Sequence, residues 1–142
     1  MRYSPGRTYS LALHADAEAD LNRIYEEDED VGADIEAFLE EAKNNQETLD
    51  NLTRRKYVGY GEWPFSVDEW QATKRSKYNL WRIRLLWLEG SAAKYRIVYA
   101  FHAIEYRYYI LGIVNRDFNY DPKNERSKQI FAAYDALNIP RY

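Results

Sequence analysis

The chain has 142 residues, no cysteine and a formal net charge of −3, with 46% hydrophobic residues that include fourteen Tyr, five Phe and four Trp. That length and apolar content fit one folded domain, residues 1–142, and exclude a disordered chain. The lack of cysteine excludes disulfide and thiolate chemistry, and no run approaches the ~20 apolar residues that a membrane helix needs.

The opening MRYSPGRTYSLALHA is too polar for a signal peptide, so the expectation is a cytoplasmic domain with no membrane contact. The modest net charge hides a split. Residues 1–51 carry four Lys/Arg against fourteen Asp/Glu, a balance of −10, whereas residues 52–142 carry a balance of +7. Two differently charged faces follow, and the basic half is where a polyanion would bind.

In chain order, TYSLAL (8–13) predicts a first strand. Asp16 is placed to cap a helix whose apolar positions Ala17, Leu21, Ile24 and Tyr25 recur at helical spacing. Gly32 sits where that helix would turn into a second one. The second helix carries Val31, Ile35, Phe38, Leu39, Ala42, Leu49 and Leu52 on one stripe, with an acidic face opposite. After the aperiodic RRKYVGYGEWPF, Ser66 and Glu69 have the S-x-x-E spacing of a capping box, flanked by Phe65 and Trp70 as a hydrophobic staple. A short helix is predicted there, ending before the basic loop KRSKYN.

Three strands follow, at 80–88, 94–101 and 106–114, rich in Val, Ile, Tyr and Trp. Glu89-Gly90-Ser91 turns the first pair, and short connections make neighbours antiparallel. Asp121-Pro122 opens a final helix with Ile130, Phe131, Tyr134 and Leu137. The predicted fold is α+β: a mostly antiparallel twisted sheet of about four strands, an N-terminal helical hairpin and a C-terminal helix, in the order β-α-α-(short α)-β-β-β-α, with the helices on one face.

The strand YNLWRIRLLW poses a chemical question. Alternation puts Trp81, Ile83, Leu85 and Trp87 on one face and Leu80, Arg82, Arg84 and Leu86 on the other. The first face suits the helices. A turn centred near Gly90 places Arg84 opposite Arg96, and like charges across a ladder repel. Either local acids such as Glu89 or Asp117 neutralise them, or the cluster awaits an anion such as phosphate, which guanidinium grips with two parallel hydrogen bonds.

The segments LWRIRLLW, KYRIVYAF and YYILGIVNRDFNYD together resemble the C-terminal half of the RelE/ParE superfamily of bacterial toxins, and HADAEADLNRIYE is similar to the family's first helix. The connection from Arg54 to Asn79 is bulkier than in compact members. The resemblance implies the toxin of a type II toxin–antitoxin system, with a cognate antitoxin as protein partner. Its RelE-like branch cleaves mRNA on the ribosome as an mRNA interferase and so inhibits translation. Its ParE-like branch poisons DNA gyrase by protein binding, and an inactive member is the third possibility.

Matched position by position, the RNA-cleaving branch implies catalytic roles for Arg84, Arg96, Arg116 and Tyr120, with Arg82 contacting RNA. The endoribonuclease reaction would be attack of a 2′-hydroxyl on the adjacent phosphate, which needs charge stabilisation, a proton acceptor and a proton donor. Arginine suits only the first task, because its pKa lies above ~12. His102 lies six residues beyond Arg96, ~20 Å along an extended strand, and reads as a turn residue; His14 reads as a residue at the start of the first helix. The proton acceptor stays open. Lys74, Arg75 and Lys77 form a basic loop suited either to RNA backbone or to water. Trp81, Trp87, Tyr95, Tyr99 and Phe101 read as core. No metal-ligand spacing or phosphate-binding loop is present, so neither metal nor cofactor is expected.

Overall fold

A computed structural model describes residues 8–88 and 95–141, apart from the side chain of Arg116. The elements run β1 (Ser10–Leu13), α1 (Ala15–Glu27), α2 (Glu29–Lys43), α3 (Gln46–Asp50), β2 (Val58–Gly59), β3 (Phe65–Glu69), β4 (Leu80–Leu85), β5 (Tyr95–His102), β6 (Arg107–Asn115) and α4 (Glu125–Ala136). The class is α+β, as the periodicity predicts. The sheet has six strands, not four, in the order β1-β6-β5-β4-β3-β2. Every neighbouring pair is antiparallel except β1 with β6, which is parallel.

Side-chain caps set the helix boundaries, and they correct the expected ones. His14, not Asp16, caps α1, its Nδ1 accepting the Asp16 amide at 3.0 Å. The chain turns at Asp28, whose carboxylate accepts the Val31 amide and starts α2. Gly32 lies inside α2, where a Cβ would stand 2.7 Å from Cγ of Tyr25, so glycine lets α1 and α2 approach. Asn45 caps α3 through the Thr48 amide at 3.0 Å. The single predicted stripe therefore spans two helices, with Ile35, Phe38, Leu39 and Ala42 buried on α2 and Leu49 on α3. In α4 the cap is Asn124, beyond the predicted Asp121.

Residues 65–69 form a strand instead of the short helix that the S-x-x-E spacing predicts. The alternation in FSVDE outweighs the capping pattern, because Phe65 and Val67 can both enter the core only from an extended chain. The helical element that does form here is a 3-10 turn, Gln71–Ser76.

The core lies on both faces of the sheet. Trp81, Ile83, Leu85, Ile97, Tyr99 and Ile110 pack against Leu21, Ile24, Ile35 and Phe38 of the hairpin. Leu80, Val98, Ala100 and Leu111 on the other face pack with Ile130 and Tyr134 of α4. The expectation of helices on one face only is thus corrected. The sheet is buried on two sides at its β5–β6 centre, and α4 covers only part of the face that carries the arginines.

An irregularity in β6 ties these layers together. The β5–β6 register shifts at Val98/Tyr99, so that Val98 faces Gly112 and Tyr99 faces Ile110, with Leu111 as the extra residue. Beyond this bulge the Ile113 amide points off the ladder and is taken by buried Asp20 of α1 at 2.9 Å. Asp20 also binds Arg126 of α4 and Arg23, the latter at 2.7 Å. A Cβ at position 112 would lie 2.9 Å from Nη2 of Arg126, so glycine leaves the passage through which that arginine reaches Asp20.

Among the described residues no helix is long and apolar enough to cross a membrane.

Candidate functional site

The register carries out the cross-strand placement that alternation predicts. Arg84 of β4 stands directly opposite Arg96 of β5. On the other side of β4, Ser66 faces Arg84 and Asp68 faces Arg82. Val58 of β2 faces Ser66 in turn. One row across the sheet therefore reads Val58, Ser66, Arg84, Arg96, and the adjacent row reads Asp68, Arg82, Val98. Arg84 is exposed, while Arg82 and Arg96 are half-buried.

Tyr120 joins this cluster from the segment between β6 and α4. Asn119 and Tyr120 both adopt the left-handed conformation, with φ of 60° and 56°. Two consecutive non-glycine residues in that region are held there by their surroundings. Buried Trp70 supplies the restraint, its Nε1 donating to the Tyr120 carbonyl at 3.0 Å. The rings of Trp70 and Phe118 stand edge-on to Tyr120 at 5.8 and 5.1 Å. The turn delivers the ring beneath Arg82, whose Cζ lies 4.7 Å from the ring centroid.

The Tyr120 hydroxyl is buried, and Arg82 is the charged group that acts on it most strongly. Burial raises its pKa above the ordinary value of 10.0, while the charges of Arg82, Arg96 and Arg84 pull it back down. All three arginines are thus electrostatic neighbours of one phenol. Of the four catalytic residues expected from the resemblance, Arg84, Arg96 and Tyr120 come together, and Arg82 joins them. Arg116 opens a 3-10 turn after β6, but its side chain lies outside the described residues.

Beside the cluster is a cavity of about 250 Å³ lined by Lys56, Ser66, Val67, Asp68, Arg82 and Arg84. Asp68 escapes the sequence reading because the strand that positions it is taken there for a helix. The polar–apolar alternation of FSVDE was the signal that could have found Asp68. Lys56 reaches the cavity through a left-handed residue, φ 67°, whose amide donates to the Val67 carbonyl at 2.9 Å. Asp68 uses Oδ1 to accept the Glu69 amide at 2.8 Å and stands 3.4 Å from Nε of Arg55. Asp68 stands opposite Arg82 in the register and pairs with Arg55; the sequence reading looked to Glu89 or Asp117 for the neutralising acid. Glu89 lies outside the described residues, and Asp117 lines a different cavity.

The remaining basic candidates stand apart from this cavity. Lys74 pairs with Glu69 at 3.4 Å, Arg75 is exposed on the 3-10 turn, and Lys77 caps that turn in a left-handed conformation. None of the three lines the arginine cavity. His102 pairs with Arg107 at the far end of β5 from Arg96 and accepts the Glu105 amide at 3.2 Å. His14 is a helix cap. Neither imidazole approaches the arginines.

A larger cavity, about 350 Å³, lies beside the end of β6 and contains Arg23, Glu27, Asp117 and Arg126. Both of its arginines already bind Asp20, and two further carboxylates line it, so it lacks the unbalanced positive charge an anion needs. The arginine face is the better candidate for phosphate. Among the described residues no group of His, Asp and Glu side chains could hold a metal ion.

No protein-family model matches the chain, and no curated protein or solved structure matches it either.

Proposed function

We propose that this chain is a RelE-like, ribosome-dependent mRNA endoribonuclease, the toxin of a type II toxin–antitoxin system that inhibits translation in the cytoplasm. The observation that carries the reading is the convergence of Arg82, Arg84 and Arg96 on Tyr120. Three guanidinium groups on one sheet face suit a phosphate that gains charge in its transition state.

In the reaction, the RNA 2′-oxygen bonds to phosphorus as the bond to the 5′-oxygen breaks. The products are a 2′,3′-cyclic phosphate and a new 5′-hydroxyl. Arg84 and Arg96 hold the non-bridging oxygens, and Arg82 orients the neighbouring backbone. Arg116 adds a further positive charge by resemblance. Tyr120 keeps its proton at neutral pH, because burial raises its pKa, so it is not a base. With its hydroxyl buried, its part is to hold Arg82 in place from beneath, and water protonates the leaving 5′-oxygen. Asp68 is the one carboxylate lining the cavity and is the group suited to accept the 2′-hydroxyl proton. Lys74, Arg75 and Lys77 contact more distant RNA backbone, and a cognate antitoxin protein restrains the activity.

The test is induced expression followed by mapping of mRNA ends on ribosomes. Wild type leaves codon-positioned cuts, and Arg84→Ala and Arg96→Ala lose them while remaining folded. Trapped DNA–gyrase cleavage complexes in the wild type, without mRNA cuts, would replace this reading with a ParE-like one.

A further inference from the structure

The cavity beside the end of β6, about 350 Å³, differs in kind from the arginine face. At ~30 Å³ per water it has room for about a dozen waters, the size of a small organic molecule and not of a bare ion. It opens where the two helical layers part around the outer edge of β6. β1 pairs with β6 only as far as Ile110, so residues 111–115 have no strand on that side among the described residues.

The floor of this cavity is apolar, with Ile24 of α1, Ile113 and Val114 of β6 and Phe118 all buried. Its polar wall is short of donors. The guanidinium groups of Arg23 and Arg126 are both turned to Asp20, and Arg126 also holds Gln129. The Asn124 amide donates to the Phe118 carbonyl, while its oxygen caps α4.

Acceptors are left over. The exposed carboxylates of Glu27 and Asp117 form no ion pair among the described residues. The Ile113 amide leaves the ladder for Asp20, so its carbonyl faces the same outer side, as does that of Asn115 two residues on. The charges around Tyr95 agree. Burial is the main cause of its raised pKa, and Glu27 and Asp28 each raise it more than Arg23 lowers it. The field on this wall is therefore negative, although two arginines line the cavity.

We propose that this cavity binds a small organic cation, an amidine or protonated amine carried on an apolar ring. The ring rests on Ile24, Ile113 and Phe118, and the cationic N–H groups bond the carboxylates of Glu27 and Asp117. The site stands apart from the arginine face and does not depend on the RNA-cleaving role.

The probe is benzamidine, with benzamide as its neutral isostere and benzoate as an anion of similar shape. Each is titrated into the full-length protein and followed by amide NMR. Benzamidine should bind at least about fivefold more tightly than either control, move the resonances of Ile113, Asn115 and Phe118, and weaken with added salt. Asp117→Asn and Glu27→Gln should each weaken it about threefold, and the double variant about tenfold. Both acids are exposed, so these variants keep the fold.

Equal binding of benzamide and benzamidine overturns the proposal, since apolar contact alone would then account for the site. So does a preference for benzoate, which would make the arginines the binding groups. Unchanged affinity in the double variant, or shifts confined to the face around Arg84, overturns it as well. If none of the three ligands binds, the cavity holds water only and the proposal falls.

Discussion

Arg82 on β4 lies over the ring of Tyr120, with its Cζ 4.7 Å from the ring centroid. A charged side chain in a strand thus rests on the electron-rich face of a partly buried aromatic. The contact predicts a titration. Burial raises the Tyr120 pKa above 10.0, and Arg82 is the largest of the charges opposing that rise. In Arg82→Met, which removes the charge and keeps the ring covered, the phenol should therefore titrate at still higher pH than in the wild type. Carbon-13 labelling of tyrosine with NMR titration reads the shift, and a downward or absent movement would contradict the stacking.

Trp70 is the support beneath that contact. Trp70→Phe keeps a ring against Phe118 and Tyr120 but deletes the donor to the Tyr120 carbonyl. The expected cost in stability is about 1–3 kcal/mol, from the lost hydrogen bond and the smaller ring at a buried position. The effect on the site should be larger, because Asn119 and Tyr120 then lack the bond that holds their left-handed turn. Resonances of Tyr120 should broaden or move, and mRNA cleavage should fall more than stability does. A variant with an unmoved Tyr120 and full cleavage would show that the hydrogen bond positions nothing.

Asp20 makes the connection between the two helical layers, bonding Ile113, Arg126 and Arg23 while itself buried. Asp20→Ala strands the half-buried Arg126 guanidinium and the Ile113 amide. A cost of ~3–5 kcal/mol is expected for breaking a buried pair from one side. Combining Asp20→Ala with Arg126→Met should recover part of the loss, since the half-buried charge is then gone and only the exposed Arg23 loses its partner. Denaturant unfolding of the two single variants and the double variant measures the coupling; strict additivity would mean that the pair does not act as a unit.

What the sequence made legible divides along physical lines. The pairing of Arg84 with Arg96 follows from alternation and a short connection, both local rules, and the structure has it. The apolar stripes of α1 and α2 were equally plain, because helical period survives small errors in the ends. Residues 65–69 were misread because Ser66 and Glu69 satisfy a helix-cap spacing while Phe65 and Val67 satisfy a strand period. Burial decided between them, and burial is a tertiary fact. That one error hid Asp68, and with it the carboxylate in the cavity. The position of α4 was likewise illegible, since period alone does not say which face of a sheet a helix will cover. Tyr120 entered by resemblance; its approach to Arg82 depends on a left-handed turn and a distant Trp70, which no local pattern announces.

The buried tyrosines give the molecule a definite alkaline limit. Tyr99 is wholly buried, and its hydroxyl donates to the Leu52 carbonyl at 2.6 Å. Burial, with Tyr108 adding to it, raises the Tyr99 pKa well above 10.0. In the unfolded chain the same phenol ionises near its ordinary value of 10.0. Below that pH both states are protonated and the full stability is present. Above it the unfolded state loses its proton while the folded state keeps it, so stability falls as pH rises towards the folded pKa. Tyr134, Tyr120 and Tyr78 are raised in the same direction, each chiefly by burial, and add to the slope. Denaturant unfolding should therefore be insensitive to pH across the tyrosine-neutral range just below 10.0 and should weaken progressively above it. Tyr99→Phe should lower stability by about 1–2 kcal/mol at neutral pH, because the Leu52 carbonyl loses its donor. The same variant should show a shallower alkaline decline, since one titrating group has gone. An unchanged slope in Tyr99→Phe would assign the alkaline limit to other groups.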